Sequence, residues 1–446
     1  MKTLRIGSGA GYSGDRIEPA VELAEQGDLD YLVFECLAER TIALAQQARI
    51  NDPAAGYDPL LSERMRRVLP FVGQHAGKRR LRVITNMGAA NPLAAAEQVR
   101  RIAGDLGLSL KVVAVVGDDV LEQLRGQPEQ LLDNGQTLGS LGERLISANA
   151  YLGAGGIVQA LHADADVVIT GRVADPSLFL APQMFEFGWA EDDWLRLGRG
   201  TVIGHLLECA GQVSGGYFAD PGFKDVDDLA RLGFPLAEVD GEGQALITKV
   251  AGSGGRVSRA TCAEQLIYEV HDPAAYLTPD VCADFSQVSF IEESPNRVRA
   301  QGAAGRARPE QLKVSVGYLD GWIGEGQMSY GGPGALARAQ LARDVVLKRL
   351  ELTGVAMQEV RADLIGVDSL HAGVAAPSAA EPWEVRLRVV ARCLAKADAV
   401  AIGNEVETLY TNGPAGGGGA SKQVRQVVAV ASLLMPRHAV NPRIQA

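Results

Sequence analysis

Short apolar runs alternate with helix signals through the first 176 residues, and this alternation leaves the chain very few folds. The runs are Leu4 to Gly7, Leu29 to Glu35, Arg80 to Asn86, Leu110 to Val116 and Ala165 to Arg172. Each is nearly continuous in apolar residues, as in a strand buried on both faces; a half-exposed strand alternates instead. Between them come helix signals: Asp15 with Glu18 three residues on, Leu37 to Ile50, Asn91-Pro92, Gly153 to Ala163 and Asp175-Pro176. Repetition of this kind predicts an α/β domain, a mainly parallel sheet with helices on both faces. Periodicity does not separate an open sheet from a closed barrel. In either, ligands sit at the carboxyl ends of the strands. Those ends read Gly7-Ser8-Gly9, Glu35, Thr85-Asn86, Gly117-Asp118 and Thr170-Gly171-Arg172.

The pattern changes after Ser214 to Asp228, a polar, glycine-containing stretch that marks a boundary between domains 1–222 and 223–446. Beyond it, 244–250 reads as a strand, 258–270 as a helix, 288–303 as a hairpin and 311–330 as a second antiparallel pair. A helix over 334–352, strands over 360–370 and 384–394, and a loop over 373–382 follow. Paired strands followed by helices predict an α+β domain. Five of the seven residues from Gly413 to Gly419 are glycine. This run is read as joining a strand-like segment to a helix over 421–435. Backbone N–H groups of Asn412, Gly413, Gly416 and Gly417 would then cradle an anion or oxyanion, closing over ligand held by the first domain. The plainer reading is a wide turn that lets two elements pack closely.

Bulk properties narrow the function. The net charge of −11 and pI near 5.2 argue against broad nucleic-acid binding, which needs a basic surface. The five cysteines are scattered with no C-x-x-C pair, which fits a reducing compartment and excludes a zinc knuckle or thioredoxin motif. The N-terminus lacks the apolar core of a signal peptide, and no run of 18 apolar residues offers a membrane span. The expectation is a cytoplasmic protein of enzyme size.

Several motifs carry chemistry. Gly9-Ala10-Gly11-Tyr12-Ser13-Gly14 matches G-x-G-x-x-G, with Glu35 at the end of the next strand. That is the arrangement of a dinucleotide fingerprint and opens an NAD(P)-dependent alternative. Pro19 and the late helix start at Asp15 count against it, because an interior proline breaks a helix. Glu35 is a candidate acid or base; its other reading is a helix N-terminal acid, as is Glu39's. Arg172 offers a bidentate clamp for carboxylate or phosphate, and Asp175 caps the next helix and can hold Arg172. His162, Asp164 and Asp166 lack a second cluster at ligand spacing, so no metal site is expected. His205 and Glu208 share a helix face and read as a core histidine oriented by its neighbour.

The segments "GSGAGYSGDR", "DYLVFECLAERT", "ITNMGAANP", "VVITGRVADPSLFLAP", "CAGQVSGGYFADPG" and "LYTNGPAGGGG" together resemble the acyclic terpene utilisation (AtuA) family. The resemblance implies catabolism of branched acyl-CoA compounds by a cytoplasmic homo-oligomer. It also implies that longer members carry a small C-terminal domain, so that a separate small subunit completes this chain. The combined expectation is a hydratase or dehydratase acting on an acyl-CoA or branched carboxylic substrate, with no cofactor required. Glu35, Asn86, Arg172 and Asp175 are its catalytic candidates. Ser8, Gly9, Gly11 and Ser13 join the 412–417 loop as substrate-binding candidates. A non-catalytic subunit of an acyl-CoA carboxylase complex is the remaining alternative.

Overall fold

A computed structural model describes residues 2–75, 77–371, 374 and 381–446. Most of the expected loop 373–382 therefore lies outside the described residues. The chain divides into two units, the first comprising 1–317 and 430–446, the second 318–429.

The first unit is built on a ten-stranded sheet. The strands in chain order are β1 (Leu4–Ala10), β2 (Tyr31–Phe34), β3 (Arg82–Thr85), β4 (Val112–Val116), β5 (Leu145–Ala150), β6 (Val167–Thr170), β7 (Pro235–Val239) and β8 (Ala245–Lys249), of which all but β5 belong to this sheet. The parallel core runs β1-β2-β3-β6-β4. β2 and β6 are buried along their whole length, as their unbroken apolar runs predicted. The sheet is open: β7, β8 and the hairpin 289–301 extend it antiparallel beyond β1, and Arg443–Gln445 pairs antiparallel with β4. Helices flank it, and their starts follow local chemistry. Asn91 caps Pro92–Asp105 by accepting from the Ala94 N–H at 3.3 Å. Ser258 caps Arg259–Ile267 by accepting from the Thr261 N–H at 3.2 Å.

The boundary at 222/223 is not where the units divide. β7 and β8 belong to the first sheet because β7 pairs with β1, a long-range contact that a composition break does not reveal. The first helix starts at Glu18, with Ile17 at its cap, not at Asp15. Asp15 instead spends its carboxylate on the Gly11 and Arg16 N–H groups, at 2.9 and 2.8 Å.

The second unit has its own core around Met328, Tyr330, Leu387, Val389, Ile402 and Val406. Its antiparallel sheet runs 359–365, 384–393, 311–331 and 418–436, with helices Ala335–Leu352 and Lys396–Glu407 packed on it. Two expectations are corrected here. Residues 311–331 form one strand rather than a pair: Gly321 lets the backbone pass the Cys393 carbonyl, 2.5 Å from where a Cβ would sit, instead of turning. Residues 418–436 form a strand, not a helix, as suits a segment rich in β-branched valine.

Candidate functional site

Beyond the carboxyl ends of β1, β2 and β6 the first unit encloses a cavity of about 1370 Å³. Its wall comes from residues 11–16, 35–41, 174–176, 208–217 and 268–279, with shorter pieces at 132–133, 151, 232–234, 309–313 and 432–434. The cavity thus lies at the strand ends that the sequence singled out.

The loop after β1 forms one side. Gly11 and Ser13 border the cavity; Ser8 and Gly9 do not. Ser8 is buried within β1, and Gly9 is a bulge residue whose absent Cβ would fall 2.6 Å from the Phe34 ring. Gly11 is required for a different contact, since a Cβ there would lie 2.6 Å from the Cys209 carbonyl carbon. The glycines of the fingerprint are therefore filled by the protein's own atoms, and the helix begins four positions after Gly14. Arg64, which sequence reasoning missed, fixes this loop. It is fully buried, and its Nη2 donates to the Ser13 and Asp15 carbonyls at 2.9 and 3.1 Å. Asp58 faces it at 3.5 Å and accepts from the Ser13 hydroxyl at 2.5 Å.

Glu35 occupies the turn after β2. Its Oε1 accepts from the Leu37 N–H and from Asn86 Nδ2, both at 2.8 Å. Asn86 in turn accepts from the Cys36 N–H at 2.7 Å, so Asn86 lies behind Glu35 and holds the turn. Both of these bonds fall on Oε1, and Glu35 borders the cavity. Burial raises the Glu35 carboxyl well above its ordinary range, and the Asp175 charge adds to this against the pull of Arg172.

Arg172 is a strut rather than a clamp. It is buried and does not line the cavity. Nε and Nη2 donate to the Val173 carbonyl at 2.9 and 2.5 Å, Nη1 donates to the Leu37 carbonyl, and Nη2 also pairs with Asp175. Its guanidinium stacks 4.5 Å from the centroid of Tyr151. Asp175 sits in the first turn of the helix 175–187 and borders the cavity, its side chain 37% exposed to that deep space. Surrounding protein still raises its carboxyl, against Arg172.

Three further groups, named in the sequence but not among its catalytic or substrate-binding candidates, complete the surroundings. Asp118 holds the Arg172 N–H and Asn149 Nδ2, both at 2.9 Å, and burial pushes its carboxyl up to about 6. Glu39 accepts from the Tyr151 hydroxyl at 2.6 Å and Lys313 Nζ at 3.0 Å. Although burial opposes it, these partners hold the Glu39 carboxyl down to about 2. Glu208 also lines the cavity, 2.8 Å from His205 Nδ1. The spacing of this pair was visible in the sequence; its position on the wall was not.

The glycine-rich loop belongs to the second unit and contributes nothing to this lining. It follows helix Leu409–Asn412 and leads into a strand, the reverse of the expected order. Asn412 donates to the Thr408 carbonyl, and the Gly413 N–H caps on Leu409. Gly416, at φ +75°, would put a Cβ 2.8 Å from Arg338, and Gly417 would put one 3.2 Å from Met328 and Tyr330. Close packing thus accounts for these glycines. Asp164 and Asp166 pair with Arg80, and no cluster suited to a metal ion occurs among the described residues. No helix among them is long and apolar enough to cross a membrane.

Searches of curated proteins and of solved structures returned no match. The family model described as "Acyclic terpene utilisation family protein AtuA" matches residues 4–446, essentially the whole chain, and on this match the chain belongs to the acyclic terpene utilisation family.

Proposed function

We propose that this protein is a hydratase or dehydratase, a carbon–oxygen lyase, acting on a branched acyclic acyl thioester. Family membership ties the chain to acyclic terpene utilisation. The observation that carries the chemical reading is Glu35: a buried carboxyl anchored through Oε1, its proton held more tightly than usual by burial, on the wall of a large cavity. Such a group gives or takes a proton without a metal or a redox partner. Asn86 orients it, and the Arg172–Asp175 pair braces the same turn through the Leu37 carbonyl.

Charge balance favours a thioester over a free acid. Arg172, behind the wall, is committed to Asp175, and Lys313, on the wall, to Glu39. A free carboxylate held beside Glu35 would find both of these cations already paired. Leu37, Leu132, Leu232, Phe234 and Leu277 offer apolar contact for a branched chain. Arg16 also borders the cavity, its Nη1 on the Leu229 and Ala230 carbonyls and with no ion pair among the described residues, and we assign it to the phosphates of the CoA tail.

The nicotinamide reading loses support because the fingerprint loop is packed by Phe34 and Cys209 and Glu35 is turned onto Leu37 and Asn86. A purely structural subunit has no use for so large a cavity with Glu35, Asp175 and Glu208 on its wall. The test is turnover of a C10 branched enoyl-CoA by Glu35→Gln. Loss on the order of 10²–10⁴-fold is expected, and wild-type turnover would remove the assignment.

A further inference from the structure

We propose that Glu208 is a second acid–base group of the cavity, with His205 as its positioning residue. The proposal rests on the hydratase reading above and adds a residue to it. Both side chains lie on the helix Trp194–Glu208, three residues apart. His205 is buried and wedged beside the rings of Tyr276 and Phe285. Its Nε2 lies 3.1 Å from the Leu266 carbonyl oxygen. A carbonyl only accepts, so Nε2 carries a hydrogen. The other ring nitrogen, Nδ1, is 2.8 Å from Glu208 Oε1. With Nε2–H committed, that contact needs one more hydrogen, on Nδ1 or on Oε1. The pair therefore stores a proton, as imidazolium–carboxylate or as imidazole–carboxylic acid, and the two forms differ by a shift along one hydrogen bond.

Glu208 borders the cavity, and its Oε2 is buried with no protein partner among the described residues. A buried carboxylate oxygen without a partner favours taking up a proton, which satisfies the group without a protein donor. The groups around the pair are Asp175, Glu269, Cys209 and Tyr276. Asp175 and Glu269 oppose ionisation of Glu208, and His205 favours it; burial, the larger influence, pushes the Glu208 carboxyl up to about 7.

The step balances. As the oxygen of water bonds to the β-carbon of the enoyl thioester, the Glu208 carboxylate takes one of its protons. The electron pair of the carbon–carbon double bond moves to the α-carbon, which takes the proton of the Glu35 carboxylic acid. The products are the hydroxyacyl thioester, neutral Glu208 and Glu35 carboxylate. Dehydration is the reverse, and proton exchange with solvent resets both groups. His205 stays imidazolium throughout and sets the ease with which Glu208 gives up its proton.

The experiment compares Glu208→Gln, His205→Gln and Glu35→Gln in hydration of a C10 branched enoyl-CoA, with kcat and KM followed across pH. Glu208→Gln is expected to lower kcat on the order of 10²–10⁴-fold with KM little changed. His205→Gln lowers kcat less than Glu208→Gln does and moves the acid limb of the pH profile upward, because the cation that favours the carboxylate is gone. Glu208→Gln with a wild-type rate and acid limb, while Glu35→Gln is inactive, overturns the proposal and leaves the hydratase reading standing. An active Glu35→Gln overturns both. A readout that needs no variant is the ¹⁵N spectrum of the histidine rings in the native protein. Imidazolium, or imidazole with hydrogen on Nε2, is expected for His205 at pH 7; a neutral Nδ1–H ring overturns the proposal.

Discussion

Asp118 accepts from the Arg172 backbone and from Asn149, yet burial still moves its carboxyl from an ordinary 3.8 to about 6. The folded protein therefore holds this proton more tightly than the unfolded chain does. Its contribution to stability is greatest below about pH 4 and is lost as pH rises to about 6. The shift corresponds to about 3 kcal/mol. Asp118→Asn keeps an acceptor for both donors and removes the charge. Urea unfolding at pH 4 and pH 8 is expected to show the variant matching wild type at the lower pH and exceeding it by up to about 3 kcal/mol at the higher. Equal differences at both values would remove the account. Gly171 belongs to the same arrangement, because a Cβ there would fall 2.6 Å from the Asp118 carboxylate. At this scale the sequence was informative about which residues stand at strand ends and silent about which way they turn. Arg172 was legible as a strand-end cation; that the Leu37 and Val173 carbonyls would consume its donors depends on packing 135 residues apart.

The loop from Gly11 to Asp15 owes its shape to an element it does not touch in sequence, the helix Leu61–Val68 that carries Arg64. Arg64→Met removes a buried cation and leaves Asp58 and two carbonyls without their partner. Breaking a buried pair from one side costs about 3–5 kcal/mol. Denaturant unfolding is expected to show that loss, with hydrogen exchange speeding up first at 11–15; uniform exchange across the first unit would contradict the assignment. Elements with strong local signals were read correctly: β2, β4 and β6 from their apolar runs, and two helices from Asn91 and Ser258. Elements with mixed signals were not. Valines at 424, 427, 428 and 430 suit a strand, but their spacing also fits a helix face, and pairing with the strand 311–331 decides between them. Asp320-Gly321 looks like a turn, whereas its glycine serves close approach to Cys393.

The first unit collects its sheet from residues 4 to 301 and again from 443 to 445, so the interruption at 318–429 is an excursion and not a second half. Local pattern registers a polar stretch at 214–228; only long-range pairing tells that β7 returns beside β1. Because the cavity wall draws on the first unit alone, damage to the second core should spare the site. Leu387→Ala, at a fully buried position, is expected to cost about 2–5 kcal/mol and leave kcat/KM on the enoyl thioester within about twofold. A proportionate fall in kcat/KM would mean that the second unit takes part in the chemistry. The contact between Gly11 and the Cys209 backbone bears on how a ligand arrives. Main chain seated against main chain, with Arg64 fastening the loop behind it, leaves that side of the cavity in its working shape before binding. Capture then needs no slow rearrangement there. The observed association rate should rise in proportion to ligand concentration without a plateau, its size set by diffusion and by the fraction of encounters correctly oriented.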